Sequence, residues 1–311
     1  THGGDGYPVH VFLVSGSDHF FRPVTMVTYY FDQFWAGLIP WRWHLASFVL
    51  HLANTALVFM LVRRLGFSVF SSSAAALLFG LQGTRPEAVL WLAARFDVLA
   101  LFFALLTLIF WLKFDQNSAI WTLFASFFTL LLACFSKESS YCTPLLLFLL
   151  TRHPLRKWRS LAAIFAVAAA AFLWRWTRVG GIGGYQRPDN GGATILHTSL
   201  IVPVKVLLFR AWNGLFVPLN WSAKPLWLLG LLLTLSLVAW LWLASRKSQR
   251  ATVITAVLFV FIGLLPVMHF ALIGADLEKS RALYLPSVGF ALLLAALLES
   301  VSLRPALCAL G

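Results

Sequence analysis

Apolar runs long enough to cross a bilayer recur along the whole chain, and they leave few folds open to it. They lie at about 43–63, 68–82, 87–112, 119–135, 141–151, 160–177, 225–244, 252–268 and 284–299. About 20 such residues make one helical crossing. The runs are continuous rather than alternating, which argues against a β-barrel. Hydrophobic residues make up 60% of the chain and charged residues only 11%, so a soluble domain is excluded. The expected fold is an all-α polytopic membrane protein, one membrane domain over residues 1–311 with roughly nine spans.

The segments between the runs set the expected domain plan. Residues 1–42 read as a first outer loop whose 23–39 stretch is amphipathic and aromatic, suited to a helix lying in the interface. Residues 178–224 read as a large outer loop. Its apolar 199–219 part is interrupted by Pro203, Lys205, Arg210 and Pro218, as in a re-entrant or interfacial helix. The chain begins at Thr1 and stops just after an apolar helix, so a further span is expected upstream. No internal repeat is visible, which argues against a transporter built from inverted repeats. Cys134, Cys142 and Cys308 lie in or beside apolar runs and read as buried small hydrophobes.

Orientation follows from the basic loops. Arg63, Arg64, Lys113, Arg152, Arg156, Lys157, Arg159, Arg246, Lys247, Arg250 and Arg304 fall on one side of the predicted bundle. The compact 152–159 loop weighs most, and the positive-inside rule makes that side cytoplasmic. A net charge of +13 then points to loop anchoring and to an anionic lipid or lipid-phosphate partner, not to nucleic acid. Two acids, Asp115 and Glu299, share that side, and the remaining charges gather at the other, outer side, in clusters that combine cations with carboxylates.

Charges near hydrocarbon are costly and are kept for a function. Glu87, Trp91 and Arg95 are spaced to line one stripe of a helix, with Asp97 elsewhere on it. They suit a substrate cavity or, as the plainer alternative, a structural ion-pair network. Lys137-Glu138 joins two helices, where Lys137 suits a phosphate or simply a solvated loop. Glu278-Lys279-Ser280-Arg281 leads into Tyr284. There Arg281 could clamp a phosphate bidentately or be an ordinary helix-end charge. Arg22 precedes an aromatic stretch and suits either a phosphate or an aromatic belt. His44, His51 and Asn54 share one helix face, better suited to interhelical hydrogen bonds than to a metal. Asn220-Trp221-Ser222 matches a glycosylation sequon. No nucleotide-binding, serine-esterase or zinc-protease motif occurs.

Four stretches in series carry a resemblance: FRPVTMVTYYFDQFWAGLIPWRWHLASFVLHLANTALVFMLVRRL (21–65), TRPEAVLWLAARFDVLALFFALL (84–106), FSKESSYCTPLLL (135–147) and SRALYLPSVGFALLLA (280–295). In order and spacing they resemble the membrane domain of the GT-C glycosyltransferase superfamily. The nearest branch is the transmembrane O-mannosyltransferases that carry tetratricopeptide repeats, with their bacterial relatives. The resemblance implies a GT-C-like helical bundle and an active site on the outer face. It also implies transfer of a sugar from a polyprenyl-phosphate donor to a protein or glycan acceptor. A bacterial inner membrane, with the site facing the periplasm or outside, is the implied location.

An aspartate in the first outer loop usually acts as base in such enzymes. Here that leaves Asp5 and Asp18, because the family's paired acids are not present. Arg22, Arg95, Lys137 and Arg281 are the candidates for the donor phosphate, with Glu87, Trp91, Asp97, Glu138, Glu278 and Tyr284 lining the cavity. Phe21 and Ala282 stand where the family has aromatics of its own. No cofactor is required, although outer carboxylates could take a divalent metal. Two other readings stay open: a flippase for lipid-linked glycans, and a non-catalytic membrane scaffold of the same fold.

Overall fold

The computed structural model describes residues 20–179, 210–216, 218, 247–267 and 278–308, with isolated positions between 232 and 242. Among the described residues there is no strand. Helix α1 runs Pro23–Ala36, α2 Pro40–Arg64, α3 Val69–Leu81 and α4 Arg85–Leu90. A 3-10 turn, Leu92–Ala94, leads into α5, Arg95–Asn117, followed by α6, Ile120–Ser136. A second 3-10 turn, Glu138–Cys142, opens α7, Thr143–Leu150. Then come α8, Trp158–Val179, the short α9, Ala211–Phe216, and α10, Lys247–Leu264. A third 3-10 turn, Ser280–Leu283, precedes α11, Pro286–Cys308.

Among the described residues, three helical stretches are long and apolar enough to cross a membrane: Pro40–Arg64, Leu92–Asn117 and Trp158–Val179. Four shorter apolar helices accompany them, Val69–Leu81, Ile120–Ser136, Arg250–Leu264 and Pro286–Ser300. The chain is thus a helical membrane protein, while the count of nine spans remains an expectation. The run at 225–244 and most of the 178–224 loop lie outside the described residues.

Helix α5 is the axis of the bundle. Trp111 is fully buried on it, and its indole N–H donates to Thr151 at the end of α7, at 2.9 Å. Thr107 and Thr129 share a hydrogen bond of 2.9 Å between α5 and α6, and Ser126 donates to the Thr107 carbonyl at 3.2 Å. Such hydroxyls join membrane helices that lipid-like side chains alone hold only by packing. Helices α10 and α11 meet at Gly289, where a Cβ would come within 2.8 Å of the Ala256 carbonyl and the Val260 nitrogen. Helix α1 buries Thr25, Asp32 and Ala36 and leaves Phe31, Phe34 and Trp35 exposed. It stops at Gly37, whose φ of +54° no other residue adopts at low cost beside its ψ of −127°.

The predicted helix over 87–112 is not continuous, so the expected stripe of Glu87, Trp91 and Arg95 does not exist. Trp91 is extended, with ψ 111°, and separates α4 from the turn before α5. Tertiary contacts outweigh local helix preference here. The Tyr29 hydroxyl donates to the Leu92 carbonyl at 2.6 Å, and the Arg281 guanidinium lies 4.1 Å from the centre of the Trp91 ring. The break directs Glu87 towards the third 3-10 turn and Arg95 towards α1.

Candidate functional site

Helix ends, turns and charged side chains converge at one end of the bundle. Arg22 stands just before α1, whose first residue is Pro23. Its guanidinium forks onto Glu138, with Nε at 3.0 Å and Nη2 at 2.6 Å from Oε2. Arg175, near the end of α8, donates to Oε1 of the same carboxylate at 3.1 Å. Burial alone would push the Glu138 carboxyl up. The two guanidinium groups more than reverse this and hold it at about 2. Phe21 packs edge-on against Phe135 and Trp174, closing the apolar side of this arrangement.

Two further pairs lie beside it. Lys137 is bonded to Oδ1 of Asp97, in the first turn of α5. Burial pulls the Lys137 ammonium below its usual range, while Asp97 works to restore it. The Phe96 ring serves both cations, 4.2 Å from Arg22 and 5.2 Å from Lys137. Arg95 is buried and bonded to Asp32 of α1. It also donates to the Ser47 hydroxyl at 3.1 Å and the Trp43 carbonyl at 2.8 Å, and lies 4.8 Å from the Tyr29 ring centre. Burial raises the Tyr29 hydroxyl to about 12, against the opposing pull of Arg95.

A second group forms around Glu87. Its carboxylate accepts the backbone N–H groups of Lys279 at 2.9 Å and Arg281 at 2.8 Å, and the Ser280 hydroxyl at 3.1 Å. It therefore caps the third 3-10 turn, where Lys279 takes a left-handed φ of 66°. The Arg281 side chain is more loosely held, 3.5 Å from the same carboxylate and stacked on Trp91. Glu278 is exposed and pairs with Lys279, at 3.7 Å.

Tyr284 is fully buried within a hydrogen-bonded network. His51 Nε2–H donates to the Gly80 carbonyl at 3.0 Å, so its Nδ1 is the acceptor for the Tyr284 hydroxyl at 2.7 Å. Asn54 in turn donates to the Tyr284 oxygen at 3.2 Å and to the Val98 carbonyl at 2.9 Å. The shared face of His51 and Asn54 thus joins helices, as its spacing suggests, and His44 takes no part in this network.

Arg85 adds a cation that the sequence analysis left out of the site. It is buried, and its bonds go to the Phe79 carbonyl and the Gln82 side chain, both at 2.7 Å. The Phe79 and Tyr284 rings flank it at 4.4 and 5.1 Å. Among the described residues its Nη1 has no partner and no carboxylate pairs with it. Burial lowers it to about 10. Asp32 and Arg175 were likewise passed over, since neither has an opposite charge on its own helix and only the fold supplies its partner.

The structure brings Arg22, Arg95, Asp97, Lys137 and Glu138 into one group, and Glu87, Trp91, Glu278 and Arg281 into another. A cavity of about 10 Å³ lies where the two approach, lined by Asp97, Ser139 and Ser140 on one side and Ala282 and Leu285 on the other. It has room for about one water. The second carboxylate oxygen of Asp97 has no partner among the described residues. Lys137 is paired and largely buried, so the solvated-loop alternative fails for it. Asp5 and Asp18 lie outside the described residues. Among the described residues no three His, Cys, Asp or Glu side chains are placed to hold a metal.

Part of the chain is similar to protein O-mannosyl-transferases. It is 33% identical over 119 residues to protein O-mannosyl-transferase tmtc2 of Xenopus laevis, a stretch of 36% of this chain and 14% of that protein. It is 33% identical over 104 residues to protein O-mannosyl-transferase TMTC3 of Mus musculus, covering 33% of this chain and 11% of that protein. With protein O-mannosyl-transferase Tmtc2 of Drosophila melanogaster the figures are 34% over 100 residues, 32% and 11%. The matched stretch is therefore a small part of each relative's length. No family model matches the chain, and no solved structure matches it.

Proposed function

We propose that this chain belongs to a membrane glycosyltransferase that moves a sugar from a polyprenyl-phosphate donor to a protein or glycan acceptor on the outer face. The observation that carries this reading is its partial similarity to proteins named as O-mannosyl-transferases. The concentration of charge at one end of an otherwise apolar bundle supports it. In a bacterial inner membrane that end faces the periplasm.

The chemistry asks for a base at the acceptor hydroxyl and for cations at the departing lipid phosphate. Asp5 and Asp18 are the proposed bases. Arg22, Arg95, Lys137 and Arg281 are the proposed phosphate cations, and they are not equally free to act. Arg95 is committed in three directions and positions the site. Arg281 can exchange its 3.5 Å contact with Glu87 for a phosphate, because Glu87 remains satisfied by backbone N–H groups. Trp91, beneath its guanidinium, keeps the group oriented.

The test is transfer from labelled polyprenyl-phosphate sugars by membranes containing the chain, wild type against Arg281→Ala. The variant is expected to lose transfer by about tenfold to a thousandfold while keeping its unfolding temperature. Equal transfer by both would remove Arg281 from the site, and no transfer by either would remove the reading. One observation favours the scaffold reading instead. All four proposed cations already face a carboxylate of this chain.

A further inference from the structure

At the opposite end of the bundle lies a cavity of about 590 Å³, within the size range of small-molecule sites. The ends of α2, α5 and α7 form it together with the first turns of α10 and the inner part of α11. Two arginines line it, Arg64 just at the end of α2 and Arg152 just after α7. Neither side chain has a hydrogen-bond or ion-pair partner among the described residues. Arg152 contributes only its backbone N–H, to Asp115 at 3.2 Å.

This contrasts with the other end, where each cation discussed except Arg85 faces an acid. Two acids also line the cavity, but each is already engaged. Asp115 accepts that N–H. Glu299 accepts from the Ser68 and Ser71 hydroxyls at 2.8 and 2.6 Å. The lining is mixed: Leu112, Leu150 and Leu292 are buried in an apolar part of the wall, and Gln116, Thr151, Thr252 and Thr255 add polar side chains. Two guanidinium groups without side-chain partners among the described residues, beside a leucine-lined wall, suit a ligand with an anionic head and a hydrocarbon body.

We propose that this cavity is a binding site for an anionic phospholipid, with its phosphate between Arg64 and Arg152 and its chains along the leucine wall. A lipid is favoured over a soluble phosphate because the cavity lies at the basic end of two membrane-length helices, α2 and α5, where headgroups are within reach. The guanidinium fork matches phosphate oxygens in a way that neutral headgroups cannot exploit to the same degree.

The experiment uses the full chain, stripped of lipid in neutral detergent and then mixed with phosphatidylglycerol or phosphatidylcholine. Retention is read by native mass spectrometry. Phosphatidylglycerol is expected to be retained in preference, and Arg64→Gln with Arg152→Gln is expected to lower retention roughly tenfold or more. Neither side chain has a partner among the described residues, so the double variant should melt at the wild-type temperature. Leu150→Trp, which fills the cavity and leaves both charges, is expected to lower retention as well. Unchanged retention in either variant would overturn the proposal. So would displacement of the lipid by millimolar inorganic phosphate, which would make the ligand a small anion.

Discussion

Arg95 shows how much one side chain can organise. It reaches Asp32, Ser47 and the Trp43 carbonyl at once and is almost wholly buried. Removing one member of such a pair strands the other, at a cost of about 3–5 kcal/mol. Arg95→Ala is therefore expected to destabilise the chain by that amount, and Arg95→Lys should not rescue it, because an ammonium cannot hold three divergent directions. Chemical denaturation in detergent would measure this, and a loss below about 1 kcal/mol would mean the pair behaves like a surface one. Glu138 makes a pH-dependent contribution. Its folded value of about 2 lies below the roughly 4.3 of a free glutamate, so its stabilisation is complete above about pH 4.3. That stabilisation is lost as pH falls through about 2. Wild type should show this loss in its unfolding temperature between these pH values, and Glu138→Gln should lack it. Identical pH profiles would contradict the assignment.

At the scale of elements, Glu87 is the only side chain described that caps the Ser280–Leu283 turn, binding two of its N–H groups and one hydroxyl. Glu87→Ala should raise hydrogen exchange at the Lys279 and Arg281 amides by at least tenfold, since a lost charge-assisted bond contributes about 1.5–3 kcal/mol. Exchange elsewhere in α11 should change little, and unchanged protection at residue 281 would show that the turn holds itself. The long helices were legible because hydrophobic length is a local property. The expected span at 43–63 is the core of the observed Pro40–Arg64, and 160–177 that of Trp158–Val179. The break at Trp91 was not legible. Leu-Trp-Leu-Ala-Ala contains no glycine or proline, and what opens the helix there comes from Tyr29 and Arg281, far away in sequence.

For the whole molecule, segregation of charge could be read from the chain, but the pairing could not. The sequence placed the carboxylate–cation clusters on one side and the basic loops on the other. It did not show that Asp32 answers Arg95, that Arg175 joins Arg22 on Glu138, or that Arg85 has no acid among the described residues. Each of these depends on which helices become neighbours. Nor did the basic loops announce that Arg64 and Arg152 line one cavity with their side chains unengaged, because a sequence shows charge but not what faces it.

The reach of the Glu87 contact has a consequence in time. Its backbone partner at Arg281 is 194 residues further along, whereas Asp32 and Arg95 are 63 apart. At translation rates of about 5–20 residues per second, Glu87 waits roughly 10–40 s after leaving the ribosome before its partner exists. The nascent chain must carry that uncompensated carboxylate at the edge of the bilayer throughout. The apolar α5–α6 pair and the ion pairs among residues 22–175 can settle early, and only the Glu87 group waits for the last helices. Synthesis stalled before residue 281 should leave an inserted intermediate with the Glu87 group unformed, a form that quality-control proteases could recognise.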